Sequence, residues 1–263
     1  MPLSSFQTRV LTLLAANRSP DSFVAGGTVL NATSDTPRFS ADVDIFHDVQ
    51  ESVAISAERD VAILQQHDHI VKWLLRQPMF QRADIRLGPD NVRLEWLFDS
   101  AFRFFPVEID PVCGYRLNIY DAAANKVLAL MGRGEPRDYL DTIYFHENRL
   151  SLATLCWAAA GKDPGVNPIF ILEEARRAAH YRPEDFATLE LNGPIDVPRW
   201  SQIWRSAAAE AEALLPQLPA EEAGCFYLDE LNRIVPPDPR SPQFKRLRRH
   251  FGSVRGAWPI IRT

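Results

Sequence analysis

The spacing of apolar residues divides the chain into a mixed first part and a helical second part. Residues 5–16 carry an amphipathic helical pattern, and residues 22–25 form a short apolar run that predicts a buried strand. That run leads into Gly26 and Gly27, after which residues 28–32 can begin a helix, and the alternating stretch at residues 41–45 predicts a second strand. Residues 52–76 show helical spacing through Val53, Ala57, Val61, Leu64, Ile70 and Leu74, which predicts one helix packed on a sheet. Three further strands are expected at residues 83–87, 91–97 and 101–109, and the short turns at 88–90 and 98–100 favour antiparallel hairpins. From residue 150 onward the pattern is helical, with clear helices at 167–177 and from 197 through 215 and turns at 161–165 and 192–194. The expected fold class is α+β, a small mixed sheet backed by helices at residues 1–149, followed by a mainly helical region with a basic tail at 150–263.

Composition narrows this picture. A chain of 263 residues that is 46% hydrophobic and free of low-complexity tracts reads as an ordered globular protein of one large or two small domains. No apolar run reaches the length of a membrane span and the first residues lack a signal-peptide pattern, so a soluble, cytoplasmic protein with no membrane partner is expected. Cys113, Cys156 and Cys225 are odd in number and far apart, which supports neither a disulfide framework nor a zinc cluster. Trp200 and Trp204, at i and i+4, read as core residues rather than a base-stacking platform.

Charge is uneven along the chain. The formal net charge is −5, yet residues 240–263 hold seven Lys/Arg and no Asp/Glu. In that tail Phe244, Leu247 and Phe251 could form the apolar stripe of a docked amphipathic helix. The same segment, with Arg255 and Trp258, could hold an RNA backbone and stack a base, and the two readings are compatible.

The candidate chemistry begins at Gly26, Gly27 and Thr28 and continues at Asp42 and Asp44. In a strand Asp42 and Asp44 point to one face while Val43 and Ile45 point to the other. Two carboxylates roughly 7 Å apart on one face repel unless a cation lies between them, and Mg²⁺ or Mn²⁺ with phosphate oxygens is a common solution. Glycines upstream allow close backbone approach, the first N–H groups of the following helix can face an anion, and Thr28 offers a hydroxyl at the expected N-cap.

The run of Gly26, Gly27 and Thr28, then thirteen residues, then Asp42, Val43, Asp44 and Ile45 resembles the signature of the DNA polymerase beta-like nucleotidyltransferase superfamily. Arg38, Ser40, Asp42 and Asp44, spaced as Arg-x-Ser-x-Asp-x-Asp, look like the nucleotidyltransferase AbiEii/AbiGii toxin family within it. A second block of that family is matched at residues 121–144, with Lys126, Arg133 seven residues on, and then Arg137, Asp138 and Asp141. Helical spacing puts Lys126, Leu130 and Arg133 on one stripe and Asp138 and Asp141 on one face of the next helix. Gly132 and Gly134 suit the end of the first of these helices, and Pro136 suits the start of the second. Two departures stand out, Thr28 in place of a more usual serine and a long spacing to Asp42.

The resemblance implies a polymerase beta-like core and transfer of a nucleoside monophosphate from an NTP to an acceptor hydroxyl. It implies Asp42 and Asp44 as catalytic metal ligands, with a third carboxylate on a neighbouring strand, for which Glu95 ranks ahead of Asp99 and Glu108. It places Gly26, Gly27, Thr28, Arg38, Ser40, Lys126, Arg133 and Asp138 around the nucleotide, and Asp141 in the active site beside Lys126. The implied acceptor is RNA, such as a tRNA 3′ end, or a protein, and the implied setting is a toxin–antitoxin or phage-defence system with a cognate antitoxin. Rival readings are an antibiotic-type small-molecule nucleotidyltransferase, which would need no second block, and a non-catalytic binding member, which would usually have lost a carboxylate. A sugar transferase using Asp-x-Asp would need more chain ahead of the pair than 41 residues.

Overall fold

The computed structural model describes residues 3–33 and 35–259. The chain forms two compact units, residues 1–101 with 106–122 and residues 102–105 with 123–263. The division falls inside a helix, ahead of the expected boundary between residues 149 and 150.

The first unit is built on a mixed sheet whose strands are β1 (Ser22–Ala25), β2 (Asp42–His47), β3 (Ile70–Gln77), β4 (Phe80–Leu87), β5 (Asp90–Phe98), β7 (Glu108–Asp110) and β8 (Gly114–Arg116). Their spatial order is β3-β4-β5-β2-β1-β8-β7. Strand β2 runs antiparallel to β1 and parallel to β5, so it sits in the interior of the sheet with a neighbour on each side. Along β2, Val43, Ile45 and His47 are buried, whereas Asp42, Asp44 and Phe46 are half-buried, which is the alternation the sequence predicts. Val43 and Ile45 stand in register with Leu94 and Trp96 of β5. Helices α1 (Ser5–Leu14) and α3 (Glu51–Gln66) cover that inner face. The short α2 (Gly26–Leu30) follows β1.

A buried ion pair ties the covering layer together. Arg18 Nη2 lies 2.6 and 2.7 Å from the two carboxylate oxygens of Asp60 on α3. Trp96 Nε1 and Asn17 Nδ2 also donate to Asp60, at 2.7 and 2.8 Å. Burial pushes the Arg18 pKa down and the Asp60 pKa up, and their mutual attraction opposes both shifts.

Three element boundaries differ from the sequence pattern. The helix expected through residue 76 ends at Gln66, and Asp68 adopts a left-handed φ of 62° that turns the chain into β3. Ile70 and Leu74, which extend the helical spacing, are exposed on this edge strand, while Trp73 packs 5.8 Å from Trp96. The apolar spacing thus merged a helix with a strand rich in β-branched and aromatic residues.

Residues 101–109 do not form a third hairpin strand. Both edges of β5 are already taken, by β4 and β2, and the amide of Asp99 bonds instead to the carbonyl of His47 at 3.1 Å. The segment splits into β6 (Phe102–Arg103), which belongs to the second unit, and β7 in the sheet.

Helix α4 (Ile119–Arg133) begins in the first unit and continues into the second. There it is followed by α5 (Pro136–Asn148), α6 (Leu152–Ala159), α7 (Pro168–Ala178) and α8 (Val197–Leu214). As expected, Pro136 opens α5 and Gly134 takes a left-handed φ of 61° after α4; Asn167 caps α7. Trp200 and Trp204 are buried, 4.9 Å from Phe186 and 5.3 Å from Tyr139 respectively, which makes them core residues.

The tail is not an amphipathic helix. After a single turn at Phe244–Arg246, β10 (Arg248–Phe251) pairs antiparallel with β9 (Cys225–Leu228), and β11 (Ser253–Val254) pairs with β6. Phe244 packs against Tyr227 at 5.2 Å, and Arg249 reaches over both rings to Glu222 at 2.8 Å. Covering the edge of β9 satisfies backbone groups that a free helix would leave unpaired. Residues 260–263 of the tail, and residues 1 and 2, lie outside the described residues.

The three cysteines are buried and unbridged, and burial pushes each thiol up to about 12, which fits structural roles. Among the described residues no helix is long and apolar enough to cross a membrane.

Candidate active site

The first unit gathers the glycines, hydroxyls and carboxylates of the first motif around β1, α2 and β2. Ala25 and Asp44 are register partners in the β1–β2 ladder, which brings Gly26 directly beside the Asp44 side chain. A β-carbon built on Gly26 would stand 1.9 Å from Asp44 Oδ2, and Gly26 also takes a left-handed φ of 62°. At Gly27 a β-carbon would meet Ser40 Oγ at 2.8 Å and Arg38 Nη2 at 2.9 Å. Both glycines are therefore required by close approach, and what approaches them from within the fold is Asp44, Ser40 and Arg38.

Thr28 is not the N-cap. Helix α2 is capped by Ala25 without a side-chain bond, and Thr28 lies within the helix. Its Oγ1 donates to the backbone carbonyl of Asp42 at 3.0 Å, and Ser40 Oγ donates to the same carbonyl at 2.9 Å. Two hydroxyls thus fix the main chain at the start of the acidic strand. The carbonyl of Ser40 in turn accepts from Gln7 of α1 at 2.6 Å, and Arg38 Nη1 donates to the carbonyl of Phe39 at 3.1 Å. Arg38 and Ser40 are both buried.

Glu95 of β5 is the register partner of Asp44, and Arg93 is the register partner of Asp42. Partners in a parallel ladder share a face, so the half-buried outer face carries Asp42, Asp44 and Glu95 together. Glu95 accepts from Arg82 Nε at 2.7 Å, and Asp84 accepts from Arg93 Nε at 3.0 Å. Arg82 and Arg93 are site neighbours that the motif search did not single out. Their sequence signal is the pair of runs Arg82-Ala83-Asp84 and Arg93-Leu94-Glu95, whose charges become complementary once the hairpin register is known. The two lower-ranked acids have local partners: Asp99 accepts from the amide of Ser100 at 2.8 Å, while Glu108 accepts from Asn118 at 2.9 Å and pairs with Arg116 at 3.2 Å.

Among the described residues no group of three or more His, Cys, Asp or Glu side chains could hold a metal ion. The donor set is Asp42 and Asp44, two hard oxygen ligands on one face. That composition fits Mg²⁺ or Mn²⁺, which bind through one or two carboxylates and complete their shells with water and substrate phosphates.

The second unit holds the other motif in one cluster. Lys126 Nζ on α4 lies 2.8 Å from Asp138 Oδ1 and 3.2 Å from Asp141 Oδ2 on α5. Arg133 donates twice to Asp138, from Nε at 2.7 Å and from Nη2 at 3.0 Å. Lys126, Asp138 and Asp141 are all buried, at 7%, 0% and 3% exposure, so none is an ordinary solvated helix charge. Burial raises the Asp138 pKa, but hydrogen bonds from Arg133 and the charge of Lys126 outweigh it and hold the carboxyl below its usual range. Arg137 pairs with Glu135 at 2.6 Å.

Known proteins share this architecture. The chain resembles a crystal structure from Helicobacter pylori described as a nucleotidyltransferase, with 14% identity and a TM-score of 0.53 over 83% of this chain and 97% of the other. It also resembles MenT4, a nucleotidyltransferase toxin of Mycobacterium tuberculosis, with 16% identity and a TM-score of 0.51 over 82% of this chain and 83% of the other. At these identities the likeness concerns the fold. No curated protein matches the sequence significantly. A family profile, the nucleotidyl transferase AbiEii toxin of type IV toxin–antitoxin systems, matches residues 12–223, a span that takes in the glycine pair, the acidic strand and the Lys126 cluster. The chain belongs to the AbiEii nucleotidyltransferase toxin family.

Proposed function

We propose that the chain transfers a nucleoside monophosphate from an NTP to an acceptor hydroxyl on RNA, such as a tRNA 3′ end, or on a protein. The observation that carries this reading is the pairing of Asp42 and Asp44 on the open face of β2 with Asp44 seated against Gly26. Asp42 and Asp44 would hold Mg²⁺ or Mn²⁺, which when bound supplies charge neutralisation at the phosphates and lowers the pKa of a coordinated hydroxyl.

The chain's own residues divide the remaining work. Thr28 and Ser40 hold the Asp42 backbone, so the acidic pair is positioned before any ligand arrives. Glu95, beside Asp44 and held by Arg82, is the acid we assign to the attacking hydroxyl. Gly26, Gly27 and Arg38 border the phosphate-binding turn. Asp138 and Asp141 hold the Lys126 ammonium, for which we assign neutralisation of phosphate charge, with Arg133 in support. Glu95 takes the proton of the acceptor hydroxyl as its oxygen forms a bond to the α-phosphorus, the bond to the bridging oxygen breaks, and pyrophosphate leaves with its electron pair.

The family description supports a toxin role with a cognate antitoxin as partner, and a cytoplasmic setting belongs to the same proposal. The basic tail argues less for RNA than its sequence does, because Arg249 is engaged by Glu222 and two rings, although Lys245 and Arg246 stay exposed. The test uses each α-labelled nucleoside triphosphate with Mg²⁺ or Mn²⁺ and, in separate reactions, total bacterial RNA, bacterial protein or small hydroxylated acceptors, beside an Asp44→Ala variant. Label entering RNA or protein with wild type alone supports the reading. Label on small acceptors only would favour the antibiotic-type alternative, and no transfer with any metal or acceptor would overturn it.

A further inference from the structure

We propose that the helical unit carries a second ligand site, a groove between α7 and α8 that binds a nucleotide-sized, phosphate-bearing molecule. The groove encloses about 780 Å³, within the range of about 300–1,000 Å³ common to small-molecule sites. Arg176 and Arg177 in the last turn of α7 and Arg205 on α8 line it with cations, beside the His180 ring just beyond α7 and against Glu173 and Glu212. Arg176 bonds to Glu212 at 3.0 Å and bridges the two helices, and Arg177 pairs with Glu174 on its own helix. Among the described residues, Arg205 and His180 have no carboxylate partner within ion-pair reach. Arg205 supplies a positive charge that no carboxylate among the described residues takes up, and a guanidinium recognises phosphate oxygens through paired donors.

The inner wall is aromatic and hydroxylated. Tyr139 and Trp204 are buried with ring centroids 5.3 Å apart, and Ser201 lines the groove beside them. The Ser201 hydroxyl and the Arg205 guanidinium suit a phosphate group, and the aromatic wall suits the sugar or base attached to it. Tyr139 is the chain neighbour of Asp138, whose carboxylate holds Lys126, so an occupant would press on the helix that orients that lysine. A free nucleotide and the phosphates of an RNA end offer the same chemistry. The inference does not depend on transfer activity.

The test follows the His180 ring by NMR in the full chain, with the imidazole signal assigned by His180→Gln. ATP, inorganic tripolyphosphate and a short RNA are titrated separately into wild type, Asp44→Ala, Arg205→Glu and Arg205→Lys. A saturable shift with ATP or tripolyphosphate is expected, equal in Asp44→Ala and weakened about tenfold or more in Arg205→Glu. Arg205→Lys should fall between them. A shift with RNA alone, subject to the same loss, assigns the site to nucleic-acid phosphates. No shift with any of the three probes, or a titration unaltered by Arg205→Glu, overturns the proposal. If Arg205→Glu does not fold, Arg177→Glu serves in its place under the same criteria.

Discussion

Gly26 and Asp44 are in such close contact that no side chain can stand between them: a β-carbon on Gly26 would fall 1.9 Å from Asp44 Oδ2. The glycine pair of the motif therefore makes room for the acidic strand and for the Ser40 and Arg38 side chains beside it.

Gly26→Ala should abolish function more completely than Gly27→Ala. The first substitution meets a carboxylate held by the β1–β2 ladder and adds a left-handed residue, a conformational cost of about 1–2 kcal/mol. The second meets the side-chain ends of Arg38 and Ser40 at 2.9 and 2.8 Å, which must move but are less constrained than a carboxylate at 1.9 Å, and Gly27 keeps an ordinary backbone conformation. We expect a loss of about 10²-fold or more in kcat/KM for Gly26→Ala and under about tenfold for Gly27→Ala, measured with labelled nucleotide on protein shown to be folded.

The acids on the sheet should separate into two classes. Asp42→Asn and Asp44→Asn should each remove transfer by about 10³-fold or more, with Mn²⁺ failing to restore it. Glu95→Gln should lower kcat by about 10²-fold and alter its pH profile, while Arg82→Gln should mimic it more weakly by freeing the Glu95 carboxylate. Equal activity of Glu95→Gln and wild type across pH would remove Glu95 from the reaction.

Lys126→Met should destabilise the second unit. It leaves Asp138 and Asp141 buried with one cation fewer, a change of about 3–5 kcal/mol for a broken buried pair. A thermal or urea unfolding series on Lys126→Met and Lys126→Arg checks this, and the arginine variant should recover part of the loss.

Acid should expose Asp138. Its folded pKa lies below the unfolded value, so its stabilising contribution is full above the unfolded pKa of about 3.9 and is lost as pH falls through the folded one. Unfolding midpoints measured down this acid range should drop less steeply for Asp138→Asn than for wild type, from a lower starting stability at neutral pH.

Asp60→Ala should cost about 3–5 kcal/mol, because it strands the buried Arg18 and removes the acceptor of the Trp96 indole. Urea unfolding followed by tryptophan fluorescence reads both effects.

The acidic strand, the glycine turn and the Lys126 cluster were legible because each depends on short-range spacing. Alternation put Asp42 and Asp44 on one face, and helical spacing put Asp138 and Asp141 within reach of one lysine. What was hidden depended on neighbours far along the chain. Ile70 and Leu74 continued a helical period although the left-handed turn at Asp68 had ended the helix. Residues 101–109 looked like a hairpin strand, but the edge it needed was occupied by β2. The tail fits a helical stripe as well as it fits a strand, and pairing with β9 decided the matter. Thr28 was read as a cap because a hydroxyl near a helix start usually is one, yet the carbonyl of Asp42 claims it.

The charges across the β4–β5 hairpin act as a check on assembly. In the native register Arg82 faces Glu95 and Asp84 faces Arg93. A slip of two residues one way would set Asp84 against Glu95 and Arg86 against Arg93, and a slip the other way would set Arg82 against Arg93. Slips of two preserve the apolar face, so burial alone tolerates them, whereas like charges placed opposite each other are penalised. The charge pattern thus favours the native alignment over slips that burial alone would tolerate, and it is that alignment which sets Glu95 beside Asp44.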